Sequence, residues 1–372
     1  MEKLPLNLID GRKIIINKDL FQDEVDDLNF VLENKKFLNN INFSKKVMFS
    51  HEIKSNNNIE GITDDIEIIR RVIEKQKDIK DDEKRKRIIN LYKGYKYILE
   101  LKDINKETLR ELYSILSQGL LTKEEYKDMG DYYRLRSGII LYKGRLDDTY
   151  EETIDARYVN ELMDKLLEYI NIDNNFDTTT EYFIKSQIIH FYFVYIHPYF
   201  DINGRTSRTV AMWYLLNNKC FPYIIFNRAI KNEFKKYYEA IIEAKRYGNV
   251  TYFMKNMLIS VKKELEKEYI IEDIRMNVSY KLSTIDYQTL NYILSMRGIN
   301  TLLDFTRFYN KDNDKKRAET IYEEMISPLL DKNVIKIVRY TNKYYGFNNR
   351  NFEFKLNESL INKDDKCLKY LK

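Results

Sequence analysis

HFYFVYIHPYFDINGRTSR, residues 190–208, is the stretch whose reading decides the fold. Upstream of its middle, EYFIKSQIIHFYFVYI (181–196) is apolar on nearly every side, the pattern of a helix buried at the centre of a domain. Pro198 has no amide to continue that helix and disfavours helical dihedrals at the residue before it. The helix is therefore expected to stop at His197, with extended dihedrals there and the imidazole presented at its end. Asn203-Gly204 is turn chemistry, and RTSRTVAMWYLLNN (205–218) reads as the next helix, with Val210, Ala211, Trp213, Leu215 and Leu216 facing inward. The motif is helix, tight loop, helix.

Arg205 and Arg208 stand one turn apart at the start of the second helix. There the macrodipole disfavours cations by roughly 0.3–1 kcal/mol each. Two arginines in an electrostatically wrong place call for an anion. A glycine turn leading into a helix N-terminus is a ready phosphate cradle, and guanidinium forks match phosphate oxygens. Asp201 in the same loop would repel phosphate unless a hard cation lies between them, and magnesium is held by one or two carboxylates plus substrate phosphates. The loop thus offers a base (His197), a metal ligand (Asp201), an anion nest and two phosphate clamps.

HPYFDINGRTSR closely resembles the HPFx(D/E)GNGRxxR signature of Fic-domain proteins, which mostly transfer AMP from ATP to a hydroxyl of a target protein. Ile202 departs from the family's usual glycine. If that position requires positive φ, a β-branched residue costs about 1–2 kcal/mol; otherwise Ile202 keeps negative φ and the nest is reshaped. The resemblance implies Mg-ATP as the nucleotide. Asp201 would hold the metal, Asn203 and the Gly204 amide the α-phosphate, and Arg205 and Arg208 the β- and γ-phosphates, with His197 as base for a Ser, Thr or Tyr hydroxyl.

The rest of the chain bounds this reading. With 372 residues there is room for two or three domains. Cys220 and Cys367 are too few for a disulfide framework, and neither a signal peptide nor an apolar run of transmembrane length is apparent, so cytoplasm is expected, with no membrane partner. Net charge is 63 − 58 = +5 with both signs interleaved, which does not imply nucleic acid. Only four prolines and eleven glycines, with abundant Leu, Ile, Lys and Glu, point to a mostly helical protein.

Residues 1–20 fit a hairpin about Asp10-Gly11, followed by a helix in DEVDDLNFVLENKKFLNN. KVMFSHEIKSNNNIEGI (46–62) reads as a helix ended by Glu60-Gly61. It is similar to the (S/T)xxxE(G/N) inhibitory motif of many Fic proteins, with Asn56 in the hydroxyl position. The resemblance implies that Glu60 pairs with Arg208 and blocks the γ-phosphate. EIIRRVIEKQK and KRKRIINLYKGYKYILEL are helical, joined by the charged run KDDEKRKR, a solvated turn. INKETLRELYSILSQGLL (104–121) is a helix capped by Asn105, and MGDYYRLRSGIILYKG (129–144) a β-hairpin about Ser137-Gly138. In Fic proteins a hairpin here, the flap, docks the target by strand pairing, which implicates Ser137, Gly138 and Ile139. ARYVNELMDKLLEYIN (156–171) is a further helix. His190 reads as a hydrogen-bonded core residue, and no His/Cys set supports zinc.

Beyond the motif, residues 226–269 read as two helices broken at Tyr247-Gly248. FKKYYEAI resembles the family stretch whose tyrosine pair, here Tyr237 and Tyr238, lines the adenine pocket, and Lys245 stands where the family has asparagine. The last hundred residues give helices in 285–298, 301–310 and 315–333, then two strands about Thr341-Asn342, an order similar to a winged helix. Lys315, Lys316 and Arg317 are followed by Glu319, Glu323 and Glu324, so a protein-contact or dimer surface is favoured there over DNA.

The expected fold is mainly α: an N-terminal helical region (1–82), a Fic core with its hairpin flap (83–270), and a winged-helix-like domain (271–372). The expected function is protein adenylyltransfer, a nucleotidyltransferase reaction using ATP and Mg2+ on a target protein or on the chain itself, restrained by Glu60. Rivals are UMP or phosphocholine transfer, kinase or AMP-removing chemistry, and a winged-helix transcriptional regulator with a vestigial nucleotide site.

Overall fold

A computed structural model of the chain describes residues 1–33, 45–74, 82–100, 103–142, 149–219, 226–296, 298–340 and 352–361. Cys220, Cys367 and the expected turn at Thr341-Asn342 lie outside them. In chain order the elements are β1 (Glu2–Asn7), β2 (Lys13–Ile16), α1 (Gln22–Leu32), α2 (Lys45–Ile59), α3 (Ile66–Ile73), α4 (Glu83–Ile98), α5 (Lys106–Ser117) and α6 (Lys123–Lys127). There follow β3 (Ile139–Tyr142), β4 (Thr149–Glu152), α7 (Ala156–Asn171), α8 (Thr179–Ile196), α9 (Asn203–Asn217), α10 (Phe226–Asn232), α11 (Phe234–Tyr247) and α12 (Thr251–Asn277). The chain closes with α13 (Thr284–Met296), β5 (Asn300–Thr301), α14 (Leu302–Tyr309), α15 (Ala318–Ile321), α16 (Ser327–Asp331), β6 (Ile335–Tyr340) and β7 (Phe352–Leu356). The protein is mainly helical, with small antiparallel sheets.

Two compact units divide the chain, Met1–Asn34 with Lys75–Lys262, and Lys35–Glu74 with Lys263–Lys372. These cuts differ from the expected boundaries at 82 and 270. Helix α12 runs unbroken across 270, and α2 and α3 find their partners in the C-terminal segment. There the His51 ring lies 4.4 Å from that of Tyr287, and Lys316 Nζ lies 3.5 Å from Asp65 Oδ2.

In the first unit, α8 is the axis. From Phe183 to Ile196 all but Val194 are buried, because the segment has no polar face to show to water. Thr178 caps it in a reciprocal box with Glu181, an arrangement that contributes about 1 kcal/mol. Helices α7 and α9 pack along it, and the β1–β2 hairpin sits on its last turns: Tyr192 Oη donates to Asn7 O at 2.7 Å, and Ile9 N–H donates to Tyr195 Oη at 2.7 Å. That hairpin turns at Gly11, whose φ of 84° suits glycine. The charged run expected as a turn begins α4 instead, because Asp82 caps the helix there by accepting from Arg85 N–H at 2.9 Å.

In the second unit, α2 ends at Gly61 (φ 76°), as its sequence indicates. Asn57 Nδ2 donates to Asp64 Oδ2 at 2.7 Å and Lys54 Nζ to Asp64 O, which fixes the turn beyond Glu60. Leu290, Phe305, Ile326, Leu329, Val334 and Phe354 lie in the core, under a sheet ordered β5-β7-β6. The aromatic run 343–348, expected as the second strand, lies outside the described residues; the described strand that pairs with β6 is Phe352–Leu356. One sequence expectation is corrected here. The expected helix 315–333 is broken in its middle by a wider turn, Tyr322–Ile326, where Ser327 N–H reaches back to Tyr322 O. Pro328 cannot donate to Glu324 O, so a regular helix would forfeit a bond there.

Candidate active site

His197 closes α8 in a left-handed conformation (φ 53°, ψ 60°), its amide donating to Phe193 O at 2.9 Å. The extended dihedrals expected before Pro198 are thus not adopted; the left-handed residue satisfies a terminal carbonyl and turns the chain at once. Arg134 holds that turn from outside. Its Nε donates to His197 O at 2.8 Å, and its backbone N–H donates to Pro198 O at 3.0 Å.

Ile202 is left-handed as well (φ 66°, ψ 11°) and stands at the N-cap of α9 without a side-chain cap. The strained alternative is therefore the one realised, at about 1–2 kcal/mol. The side chain is 3% exposed, and burying an isoleucine returns roughly 1.5–3 kcal/mol, enough to offset that strain. Asn203 closes the loop upon itself: its Oδ1 accepts from Tyr199 N–H at 2.9 Å, and its Nδ2 donates to Tyr199 O at 2.8 Å. The buried Tyr199 ring stacks on Tyr113 with centroids 3.6 Å apart and planes 9° from parallel, a contact worth about 0.5–1.5 kcal/mol. Asn203 therefore shapes the loop with its side chain, leaving its backbone for the helix start.

The motif residues that reach solvent are His197, Phe200, Asp201 and Gly204. Asp201 Oδ1 accepts from Ile202 N–H at 2.6 Å, while Oδ2 stands 3.9 Å from Arg205 Nη2. Arg205 and Arg208 are both buried, at the helix end whose dipole opposes them. Among the described residues, no three His, Cys, Asp or Glu side chains cluster as a metal cage. A divalent cation here would have Asp201 as its protein ligand and phosphate oxygens for the rest, the donor set that suits magnesium.

Burial, followed by the charges of Lys245 and Arg134, lowers the His197 imidazole to about 3, so it is neutral at ordinary pH and able to accept a proton. Nδ1 is buried without a hydrogen-bond partner among the described residues. His190, seven residues earlier, is fully buried and shares a 2.8 Å hydrogen bond between its Nε2 and Tyr237 Oη. Burial and the Arg208 charge lower it to about 3, the state of a neutral core histidine. Of the tyrosine pair, Tyr237 is buried against His190, and Tyr238 is half-exposed, its ring edge-on to Phe234 at 4.6 Å.

The hairpin differs from its expected place. Its strands are Ile139–Tyr142 and Thr149–Glu152, registered Ile139↔Glu152 to Tyr142↔Thr149, so Ser137-Gly138 lies at its foot rather than at its turn. Gly138 extends the ladder by one step. Its N–H donates to Thr153 Oγ1 at 2.8 Å, and its carbonyl accepts from Thr153 N–H at 2.9 Å. Ile139 is 69% exposed. Two-stranded sheets leave each strand one unpaired edge, a template for an extended peptide. Glu60 follows the last residue of α2 in the second unit and is half-exposed.

Sequence reasoning missed Arg134, which is buried; burial lowers its guanidinium to about 10. Besides His197 and Pro198 it binds Arg136 O (Nη1, 2.8 Å) and Ile154 O (Nη2), so one side chain ties both feet of the hairpin to the histidine turn. All its acceptors are backbone carbonyls, which no residue type advertises.

Residues 100–215, from just before α5 to α9, match the Fic/DOC family. The chain carries a Fic domain. The match spans hairpin and motif and stops before Tyr237 and Tyr238. Fic-domain proteins are generally enzymes that transfer nucleotide or other groups onto proteins, using nucleotide substrates with a metal ion, and the chain is a Fic-type transferase in that general sense. The fold is similar to that of a Fic family protein from Desulfovibrio desulfuricans G20, at 16% identity and a TM-score of 0.58, over 91% of this chain and 95% of that one. Fic-1 from C. elegans is also similar, at 14% identity and a TM-score of 0.48, over 70% of this chain and 74% of that one. So is a Fic-domain signaling protein from Bacteroides thetaiotaomicron, at 14% identity and a TM-score of 0.48, over 67% of this chain and 94% of that one. No curated protein matches the chain. Among the described residues, no helix is long and apolar enough to cross a membrane.

Proposed function

We propose that the chain is a protein adenylyltransferase that moves AMP from ATP to a Ser, Thr or Tyr hydroxyl of a target protein or of itself. The observation that carries the reading is the His197 imidazole at the end of α8, six residues before the start of α9, which has no side-chain cap and holds the buried Arg205 and Arg208. His197 takes the hydroxyl proton of the target. The freed oxygen attacks the α-phosphorus, the bond from that phosphorus to the bridging oxygen breaks, and pyrophosphate leaves. A base so placed contributes about 10²- to 10⁴-fold. The Asn203 and Gly204 amides at the start of α9 receive the α-phosphate, and Arg205 and Arg208 the β- and γ-phosphates, where fixed positive charge stabilises the charge that shifts in transfer. Magnesium bound at Asp201 would neutralise phosphate charge.

Tyr237 and Tyr238 belong to the base-binding side in this reading, Tyr238 as the surface that can meet an adenine ring and Tyr237 as its buttress. The hairpin edge at Ser137, Gly138 and Ile139 receives the target segment. Glu60 is the inhibitory carboxylate, and the winged-helix-like segment 271–372 contacts protein in preference to DNA. The test is incubation of the purified chain, wild type and Glu60→Gly, with magnesium and ATP labelled at either the α- or the γ-phosphate. Label from α-ATP on protein, stronger in Glu60→Gly, supports the reading. Label from γ-ATP instead makes the enzyme a kinase and contradicts it.

A further inference from the structure

The first unit holds an open cavity of about 280 Å³ where α7 and α9 both end. Its walls come from the residues just before α5, the end of α7 with the segment that follows it, and the last turn of α9. The His197 loop lies at the other end of α9, about 20 Å away along a helix of fifteen residues.

The lining is polar, and its polarity is one-sided. Asn171 uses both hydrogens of Nδ2 on backbone carbonyls, Ile104 O at 3.1 Å and Leu167 O at 2.9 Å. Asn174 Nδ2 donates to Ile172 O at 2.7 Å, and Asn218 Nδ2 to Tyr214 O at 2.8 Å. These amide donors are committed to the chain, so what Asn171 and Asn174 have left to offer is the acceptor Oδ1. Asp103 and Asp173 line the same cavity, both exposed, and an ionised carboxylate only accepts. Two helix C-termini add partial negative charge, and neither α7 nor α9 has a basic residue in its last turn.

The chain already places one cation against this wall. Lys185 of α8, 2% exposed, donates from Nζ to Ile172 O at 2.9 Å and lies between the rings of Tyr169 and Tyr214, at 5.1 and 5.3 Å from their centroids. An ammonium is tolerated so deep only where acceptors and π-faces stabilise it. One ammonium balances one carboxylate, so with two carboxylates and two helix ends the cavity keeps net negative charge.

We propose that this cavity binds a small organic cation of the alkyl diamine or guanidine class, its charged ends on Asp103 and Asp173 and its methylene body against Ile104, Ile170 and Ile172. The volume lies just under the roughly 300 Å³ at which pockets begin to enclose drug-sized ligands, which suits a short chain. A bare metal ion fits less well: among the described residues no three His, Cys, Asp or Glu side chains cluster to hold one, and the apolar wall gives it no ligand. The proposal stands apart from nucleotide transfer and from His197.

The test is calorimetric titration of the full-length chain with agmatine, which carries one amine and one guanidine, at fixed ionic strength and with magnesium chloride as control. Wild type should bind one agmatine in the submillimolar range, and magnesium at equal charge should not displace it. Asp103→Asn combined with Asp173→Asn keeps the shape and removes both charges, and binding should weaken by about tenfold or more. Ile172→Trp keeps the charges and fills the mouth of the cavity, and binding should weaken as much. Each variant is first matched to wild type in melting temperature without ligand, so that lost binding reports the cavity and not the fold. Agmatine bound equally by the double variant, untouched by Ile172→Trp, or displaced by magnesium at equal charge would be a diffuse ion atmosphere and would overturn the proposal, as would an absence of binding to wild type.

Discussion

The loop between α8 and α9 and the hairpin before α7 are held in opposite ways. The loop is fixed from within, by two left-handed residues, by Asn203 bonded twice to the backbone of Tyr199, and by a tyrosine stack beneath it. The hairpin is fixed from outside, by Arg134 at its feet and Lys245 on its returning strand. In the proposed reading, groups that must sit at set distances from a phosphorus atom gain from a self-locking frame, whereas a strand that must receive a partner gains from tethers that leave its edge open.

That contrast can be broken in four ways, the largest first. Arg134→Met strips the carbonyls of His197, Arg136 and Ile154 of a donor in a buried place. At about 1–3 kcal/mol for each unmet group, urea unfolding should show a loss of about 3 kcal/mol or more. A loss below about 1 kcal/mol would mean that the hairpin does not depend on it.

Acid should act next, through His190. Its folded value of about 3 lies below the unfolded value near 6.5, so the unfolded chain binds the proton first. This contribution to stability is complete above pH 6.5 and is lost as pH falls toward 3, at up to about 1.4 kcal/mol per pH unit. Urea unfolding across that range should show the slope in wild type and a shallower one in His190→Asn; identical slopes would contradict the assignment.

Ile202→Gly sets two magnitudes against each other. Relief of strain returns about 1–2 kcal/mol, while loss of the buried side chain, about 1.5–3 kcal/mol, is joined by the extra unfolded-state entropy of glycine. A net loss of about 1 kcal/mol is expected from thermal unfolding, and a gain would show that burial does not offset the strain. Ile139→Ser, on the open edge, should change stability by less than ~0.5 kcal/mol while lowering transfer of label to target protein. A large change in melting temperature would make Ile139 part of the frame instead.

What the sequence made legible was whatever rests on local pattern. The cap at Asn105, the span of α7 from 156 to 171 and the all-round burial of α8 follow from side-chain type and period alone. So did the tight loop between α8 and α9. The left-handed turn at His197 was not legible, because a proline rule speaks for the pair of residues and not for the distant Arg134 that holds the turn. Ser137-Gly138 has turn chemistry and so draws the expected hairpin early in the chain, while its pairing to Thr153 depends on a return strand fifteen residues on. Asn203 looked like a ligand-facing residue, yet its side chain is committed to Tyr199. Lys245 and Glu151, 94 residues apart, could be joined only in three dimensions.

The most direct measurement of the central claim is the rate of AMP transfer from α-labelled Mg-ATP to protein by His197→Ala beside wild type, both in the Glu60→Gly background and both checked for an unchanged melting temperature. Loss of a proton acceptor at the reacting hydroxyl predicts a fall of about 10²- to 10⁴-fold with nucleotide binding retained. Transfer at the wild-type rate would contradict it.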